Sequence, residues 1–339
     1  MKERQSNMEL LRLVCMFFII IHHFIIHALP LSSVYASLSG LQHDIPVLID
    51  AVCVCAVPVF VLISGWFGIR PKLRGFLNLY VQCAFYFGIL YLFFLYYSGS
   101  HVNRWCLYNT IFPFSNNPDL WFVECYVMLY FVSPLLNIFV GQANKRELVG
   151  VLSALTIICV YFGWYRQMKS STMDGYSVLN FIYLYLIGRF LALHVNWNNV
   201  KHLKSWSLGC FCVGSLFLGL LPILNSRLEL LPSWMPIFQF WMYNHPLVIL
   251  NAIALVVFCS TLRFQSRGIN KMAASAFAIY LLHENVYVRQ GLAECVANAV
   301  DYPPLTSVRV HSAASISIGD NADSYFGRSS STRNMLTDC

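Results

Sequence analysis

The sequence predicts an all-α membrane protein, a polytopic bundle of about nine transmembrane helices with a cytoplasmic N-terminus. Of its 339 residues, 58% are hydrophobic and only 11% are charged, and the mean hydropathy is +0.60. Soluble domains have about 45–50% apolar and about 25% charged residues. Apolar runs of about 20 residues, the length of a transmembrane helix, recur along the chain. A bias in the positions of Lys and Arg gives the orientation.

The predicted spans follow one another closely. The first begins after Ser6 and Glu9, a spacing typical of a helix-capping box. Trp105–Phe114 is too short to cross a bilayer and is predicted to be interfacial or re-entrant. In order, the nine spans are Leu10–Leu29, Ile45–Phe67, Phe76–Tyr97, Leu120–Val140, Leu148–Trp164, Val178–Val195, Trp206–Leu224, Pro246–Leu262 and Met272–Val288.

The basic residues indicate orientation. With the N-terminus inside, fourteen Lys and Arg fall on the inner segments and four on the outer loops before the ninth span. Cytoplasmic loops of membrane proteins carry such an excess, so a multi-pass protein of the cell membrane is predicted. The net charge of +7 is then an orientation signal, with the lipid bilayer as a partner and no nucleic acid.

The twelve cysteines predict neither a metal site nor a disulfide framework. Most lie singly in apolar runs, where a thiol behaves as a small hydrophobic group. The pair Cys53 and Cys55 does not have a zinc-ligand spacing.

The composition changes abruptly after Val300, and Asp301–Cys339 holds no apolar run. Residues 1–290 form the predicted transmembrane domain, and residues 291–339 form a polar tail rich in Ser, Asp and Arg. Two interpretations stay open for this tail: a disordered outer segment, or a segment that stands in place of a last helix.

Ionisable residues within the spans indicate where the chemistry lies, because charged groups are costly in a bilayer. His23 follows Arg12 by eleven positions, which is three helical turns plus about 20°, so both side chains share one face about 16.5 Å apart. His22 points about 80° away from that line and is predicted to be a packing residue.

Four titratable residues are predicted at one depth in the outer half of the membrane: His23, Asp50, Glu124 and His283. Their distances in residues from the ends of their spans correspond to similar heights at 1.5 Å per residue. The alternative is that each residue is satisfied singly by a carbonyl or a loop, which for Asp50 and Glu124 carries equal weight.

The first of these stretches resembles a known family. "NMELLRLVCMFFIIIHH" is similar to the first helix of the acyltransferase-3 family of membrane acyltransferases, whose R-x10-H signature corresponds to Arg12 and His23. "VPVFVLISGWF", followed by "RPKLR", resembles its second-helix ending and basic inner loop. Two later stretches also resemble family motifs: "LWFVECYVMLYFVSPLLN", and "FAIYLLHEN" with Tyr280 and His283. The resemblance covers about residues 7–290, and bacterial surface-polysaccharide O-acetyltransferases look most similar.

The resemblance implies an acyl-CoA donor, acetyl-CoA above all, as co-substrate, with no tightly bound cofactor. The acceptor would be a hydroxyl of a lipid-linked or exported carbohydrate. CoA phosphates would bind the inner-face cations Arg12, Arg70, Lys72 and Arg74.

His23 would serve as the general base of this reaction, and the second-helix Ser64 is expected to pack rather than to act as a nucleophile. Asp50 or Glu124 would orient the imidazole of His23, and Tyr280 or His283 would stabilise the oxyanion. A covalent acyl-enzyme stays open.

The main alternative function is an exporter of a glycan or of a small anionic solute. Such a transporter would also have many spans and buried charges. It would show internal repeats with matching broken helices in its two halves, and the sequence shows no such repeat.

Overall fold

The computed structural model describes residues 4–28, 41–99, 101–114, 120–168, 172–197, 200–228, 237–285, 287–289 and 291. The described elements are helices: α1 Ser6–Ala28, α2 Leu41–Cys53, α3 Ala56–Phe67, α4 Leu73–Ser98, α5 Arg104–Ile111, α6 Trp121–Gln142, α7 Lys145–Thr156, a π-helical continuation Ile157–Tyr165, α8 Val178–Leu193, α9 Leu203–Leu228, α10 Pro246–Ser260, α11 Arg267–Ala273 and α12 Ala276–His283, with 3-10 turns at Met173–Gly175 and Ile237–Trp241. The predicted polar tail lies outside the described residues, apart from residue 291.

Seven stretches in the described residues are long and apolar enough to cross a membrane. They coincide with the first to fifth, seventh and eighth predicted spans, and the shorter apolar helix α8 occupies the sixth. The fold class predicted from the sequence is therefore confirmed.

The ninth predicted span is not one continuous helix. Only the first two residues of the predicted span Met272–Val288 belong to α11, which is seven residues long; a turn follows in which the Ser275 N–H donates to the Met272 carbonyl, and the eight-residue α12 begins after it. Each is about 12 Å long or less, too short to cross a bilayer. Apolar periodicity does not reveal such an interruption, which is why the sequence predicted a single helix here.

The second span is also interrupted, here by a proline. Helix α2 ends at Cys53 and α3 begins at Ala56. Pro58 lies four residues after Val54, so its ring would clash with the Val54 carbonyl in a continuous helix. The break lies just beyond Asp50, which is fully buried.

Helix α3 lies at the centre of the bundle and packs most extensively against α8. Two glycines permit this contact. A Cβ atom on Gly65 would come within 2.2 Å of the Tyr185 carbonyl oxygen, and one on Gly188 within 2.3 Å of the Leu62 carbonyl oxygen. The backbones of α3 and α8 thus approach as closely as small residues allow in membrane helices. The expectation that the Ser64–Gly65 pair serves helix packing is confirmed.

The periphery of the bundle is apolar. Helix α4 exposes a row of large apolar side chains: Leu77, Val81, Phe85, Ile89, Leu92 and Phe93. This surface suits lipid, because a soluble monomer rarely exposes so large a continuous apolar area.

The N-terminal capping box is not formed. The Ser6 hydroxyl is within hydrogen-bond distance of the Gln265 and Asn270 side chains and accepts from the Ser266 N–H. Glu9 pairs with Arg12 instead of the helix N-terminus. These polar groups join the start of α1 to the segment that leads into α11.

Candidate active site

Two adjacent histidines of α1 are directed at different partners. His22 is buried, and its Nδ1 lies 2.6 Å from Oδ1 of Asp50 on α2. An ionised carboxylate only accepts hydrogen bonds, so the His22 Nδ1–H donates to Asp50. His22, predicted to be the packing residue of the pair, is also the polar partner of a fully buried carboxylate.

His23 faces the end of α12. Its Nδ1 lies 2.5 Å from Oε2 of Glu284 and 3.0 Å from Nε2 of His283. The His23 and His283 rings stack with their centroids 5.1 Å apart and an interplanar angle of 24°. Residues separated by 260 positions therefore form one site, which we call the histidine cluster: His22, His23, Asp50, His283 and Glu284.

The hydrogen bonds of the cluster fix which nitrogen of each neutral ring carries the proton. Nδ1 of His283 lies 2.9 Å from the Ile279 carbonyl oxygen, which can only accept, so this nitrogen donates. Nε2 of a neutral His283 is then an acceptor toward Nδ1–H of His23. The lone pair of the His23 ring consequently lies on Nε2, which is the nitrogen able to take a proton.

Glu284 supplies the negative charge beside His23. Its side chain is largely buried, and its Oε1 accepts a hydrogen bond of 2.9 Å from Nη1 of Arg289. The contact with Arg289 is a charge-assisted hydrogen bond, and a carboxylate at Nδ1 of a histidine stabilises the imidazolium that forms on proton transfer. The arrangement resembles the carboxylate–histidine pair of acyl-transfer enzymes.

These contacts correct one sequence-based assignment and leave others as predictions. Asp50, one of the two carboxylates considered for orienting His23, holds His22 instead, because α1 turns His22 toward α2. Glu124 lies partly exposed in the first turn of α6, outside the histidine cluster as defined. Buried Tyr280 sits edge-on to the His283 ring, with centroids 5.9 Å apart.

Sequence reasoning missed Glu284 and Arg289. Glu284 directly follows His283 in the stretch "FAIYLLHEN", so a signal was present in an adjacent acidic residue. The pairing of Glu284 with His23 is visible only in the structure, where the end of α12 brings His283 and Glu284 toward α1.

One of the predicted donor-binding cations, Arg12, lies toward the other end of α1. Arg12 pairs with Glu9 at 2.8 Å, and its guanidinium Cζ lies 5.9 Å from the centroid of the Phe67 ring. The continuous helix α1 joins Arg12 to His23 over the predicted separation of about 16.5 Å. Arg70, Lys72 and Arg74 are exposed beyond the end of α3.

These three residues lie in the segment Gly68–Arg74, which connects α3 to the first turn of α4 and which we call the basic turn. Its backbone is held by side chains of two other helices. The Ile69 N–H donates to the Tyr185 hydroxyl at 3.1 Å, and the Ile69 carbonyl accepts from Asn137 at 2.7 Å. The Tyr130 hydroxyl accepts from the Lys72 N–H and donates to the Lys72 carbonyl. The turn is therefore positioned before any ligand arrives.

A cation could also be considered at the histidine cluster. One ligand atom each from His23, His283 and Glu284 lies within 4.8 Å of the others. Two of their separations, 2.5 and 3.0 Å, are direct contacts of hydrogen-bonding length. Two ligands on one tetrahedral zinc ion are about 3.3 Å apart, since each bond is about 2.0–2.1 Å long. The 2.5 and 3.0 Å separations are shorter than this, so the arrangement as it stands is too tight for metal ligation.

The fold and site define a class: a helical membrane enzyme with a buried histidine cluster at one end and a cationic turn at the other. The profile of the acyltransferase-3 family, described as an acyltransferase domain, matches residues 5–290. The chain belongs to this family, and it is a multi-pass membrane acyltransferase. No curated protein and no solved structure matches it. Family membership favours the enzyme over the exporter considered from the sequence.

Proposed function

We propose that this acyltransferase moves an acetyl group from cytoplasmic acetyl-CoA to a hydroxyl of a lipid-linked or exported glycan at the cell membrane. The observation that carries the proposal is the contact of His23 Nδ1 with Glu284, which directs the basic Nε2 of the ring away from that carboxylate. The same helix carries Arg12 at its other end, which supports a donor head and a reacting centre along one face of α1.

In this reaction His23 Nε2 takes the proton of the acceptor hydroxyl while its oxygen attacks the thioester carbonyl. The new C–O bond forms as the carbonyl becomes a tetrahedral oxyanion. When the intermediate collapses, the C–S bond breaks and the imidazolium returns its proton to the departing thiolate, giving the acetyl ester and CoA–SH. One histidine thus serves as base and then as acid.

The other residues of the cluster have positioning roles in this proposal. Glu284 stabilises the imidazolium, and His283 holds the ring of His23. A neutral His283 whose Nδ1–H is bonded to Ile279 has no N–H left for an oxyanion, so Tyr280 is the preferred donor to that charge. Ser64 donates to the Phe60 carbonyl of its own helix at 3.0 Å, which suits packing rather than nucleophilic attack.

The decisive experiment follows radiolabelled acetyl groups from acetyl-CoA into surface glycan in cells that lack the gene, carry it, or carry His23→Ala. We expect label only with the natural chain, released by mild base as an ester requires. Membrane insertion of His23→Ala, checked by fractionation, should be unchanged. Base-labile label that persists in His23→Ala would overturn the role of His23, and equal label without the gene would overturn the proposed function.

A further inference from the structure

Arg189, on α8, has no part in the proposed site so far. Its guanidinium lies against the first residue of the basic turn: Nη1 is 2.8 Å from the position that a Cβ atom would occupy on Gly68. Gly68 has φ +75°, a conformation that side chains rarely adopt. The absence of a side chain on Gly68 leaves this space to Arg189. The positive φ also disfavours any other residue at this position.

The surroundings of Arg189 indicate that its guanidinium is available to bind a ligand. Among the residues that the structure describes, its buried Nε has no hydrogen-bond partner. Buried guanidinium nitrogens normally find an acceptor, because an unsatisfied donor costs free energy. Arg189 lies one helical turn after Tyr185, whose hydroxyl accepts from the backbone of the basic turn. The helix that fixes the turn thus also supplies the cation.

Two arginines from different helices converge on adjacent residues. Arg12 of α1 lies over the ring of Phe67, and Arg189 of α8 lies against Gly68. Arg12 is paired with Glu9, which offsets its charge. Arg189 therefore adds a positive charge at the point where the exposed cations of the basic turn begin.

We propose that Arg189 binds a phosphoryl group at this end of the bundle, with the basic turn as the rest of the site and Gly68 as the residue that makes room for it. This inference deepens the proposed function, since the diphosphate or 3′-phosphate of CoA supplies such a group. The phosphate of an anionic lipid headgroup has the same chemistry. The planar guanidinium suits either, because it donates two parallel N–H bonds to phosphate oxygens.

The test measures binding of CoA itself by isothermal titration to the purified full-length chain in lipid nanodiscs. One set of discs holds only phosphatidylcholine, and a second contains phosphatidylglycerol. In neutral discs we expect Arg189→Gln to raise the Kd for CoA about tenfold or more, and Arg189→Lys to recover part of the affinity. Gly68→Ala should act in the same direction, because its Cβ displaces the guanidinium.

Arg146→Gln is the matched control: it removes an exposed arginine from another predicted inner loop and should leave the Kd unchanged. Melting curves without CoA show whether each variant is folded, and only folded variants are compared. If the bound group is a lipid headgroup, CoA affinity stays constant while Arg189→Gln abolishes the stabilisation by phosphatidylglycerol. If Arg189→Gln alters neither CoA affinity nor lipid stabilisation, the proposal is wrong.

The same design separates this inference from the proposed function. Failure of the natural chain to bind CoA in either disc would contradict acyl-CoA as donor. The role of Arg189 would then be decided by whether Arg189→Gln abolishes the stabilisation by phosphatidylglycerol. Tight CoA binding that depends on Arg189, without transfer to glycan, would support the phosphoryl site and contradict the glycan acceptor.

Discussion

At the residue scale, the adjacent histidines of α1 have separate partners. His22 donates to Asp50 on one side, while His23 meets Glu284 and His283 on the other. The helical phase between Arg12 and His23 follows from spacing alone and was predictable. The pairing of carboxylates with the two rings was not predictable from the sequence. It depends on the rotation of α1 relative to α2 and on where the end of α12 places residue 284.

Glu284 should affect the chemical step rather than donor binding. Glu284→Gln removes the charge that stabilises the imidazolium, so we expect kcat to fall about 10²- to 10⁴-fold with little change in KM for acetyl-CoA. Steady-state assays with purified chain in nanodiscs measure both constants. Glu147→Gln, which retains a capping side chain on α7, serves as the control and should leave both unchanged. An equal rise in KM with unchanged kcat would place Glu284 in donor binding.

Replacing His22 should lower the stability of the protein, because its side chain pairs with a buried carboxylate. Oδ2 of Asp50 has no hydrogen-bond partner among the described residues, so His22→Ala would leave the buried carboxylate without its donor. Such a loss costs about 1–3 kcal/mol or more, and the melting temperature should fall. His22→Asn retains an N–H near Nδ1 and should preserve both stability and transfer. Inactivity of a fully stable His22→Asn would give His22 a chemical role.

Metal removal tests the interpretation of the cluster as hydrogen-bonded. We expect full transfer activity after EDTA treatment and dialysis, because the 2.5 and 3.0 Å separations are shorter than the distance between two ligands of one zinc ion. Activity is followed with labelled acetyl-CoA, with a buffer-treated sample as reference. Loss of activity that zinc restores would show that the cluster holds a metal.

At the element scale, the contact between α3 and α8 determines where the basic turn lies. The sequence predicted that the Ser64–Gly65 pair serves packing, but its partner Gly188 lies in a distant span and no local pattern identifies it. The clamps on Ile69 and Lys72 likewise come from α6 and α8. Cross-helix hydrogen bonds of this kind depend on tertiary packing, which single-sequence periodicity does not encode.

Gly65→Ala should destabilise this contact. Its Cβ would lie 2.2 Å from the Tyr185 carbonyl oxygen, and backbone on both sides must move to relieve the overlap. We expect a loss of about 1–3 kcal/mol, measured as a lower melting temperature in nanodiscs. Gly150→Ala on α7, where nothing lies within 4 Å of the added atom, is the control and should melt like the natural chain. Equal melting of the two variants would contradict the packing described for α3 and α8.

At the scale of the whole molecule, composition and apolar run length were sufficient for the fold class. They gave the positions of seven long spans and of α8, because burial in lipid requires uniform apolarity over a fixed length. They failed in the predicted ninth span, where the turn before α12 lies in a largely apolar stretch and leaves no mark in the pattern.

Orientation is the prediction that belongs to this scale. The excess of Lys and Arg places the basic turn in the cytoplasm and the loop around Arg104 outside. Alkaline phosphatase, active only outside the cytoplasm, should be active when fused after Gly99 and inactive when fused after Ala143. Fusions of green fluorescent protein at the same points should give the reverse pattern. The opposite result at both positions would invert the bundle and put the cations of the basic turn on the wrong side for cytoplasmic CoA.

The pairing of His23 with Glu284 also has a consequence for biosynthesis. A ribosome adds about 5–20 residues per second, so some 260 further residues need about 10–50 s after His23 enters the membrane. Throughout that interval the nascent chain holds a histidine without its carboxylate. Under the proposed mechanism, a nascent chain that has not yet reached Glu284 lacks the carboxylate partner of its base and is expected to leave the thioester intact.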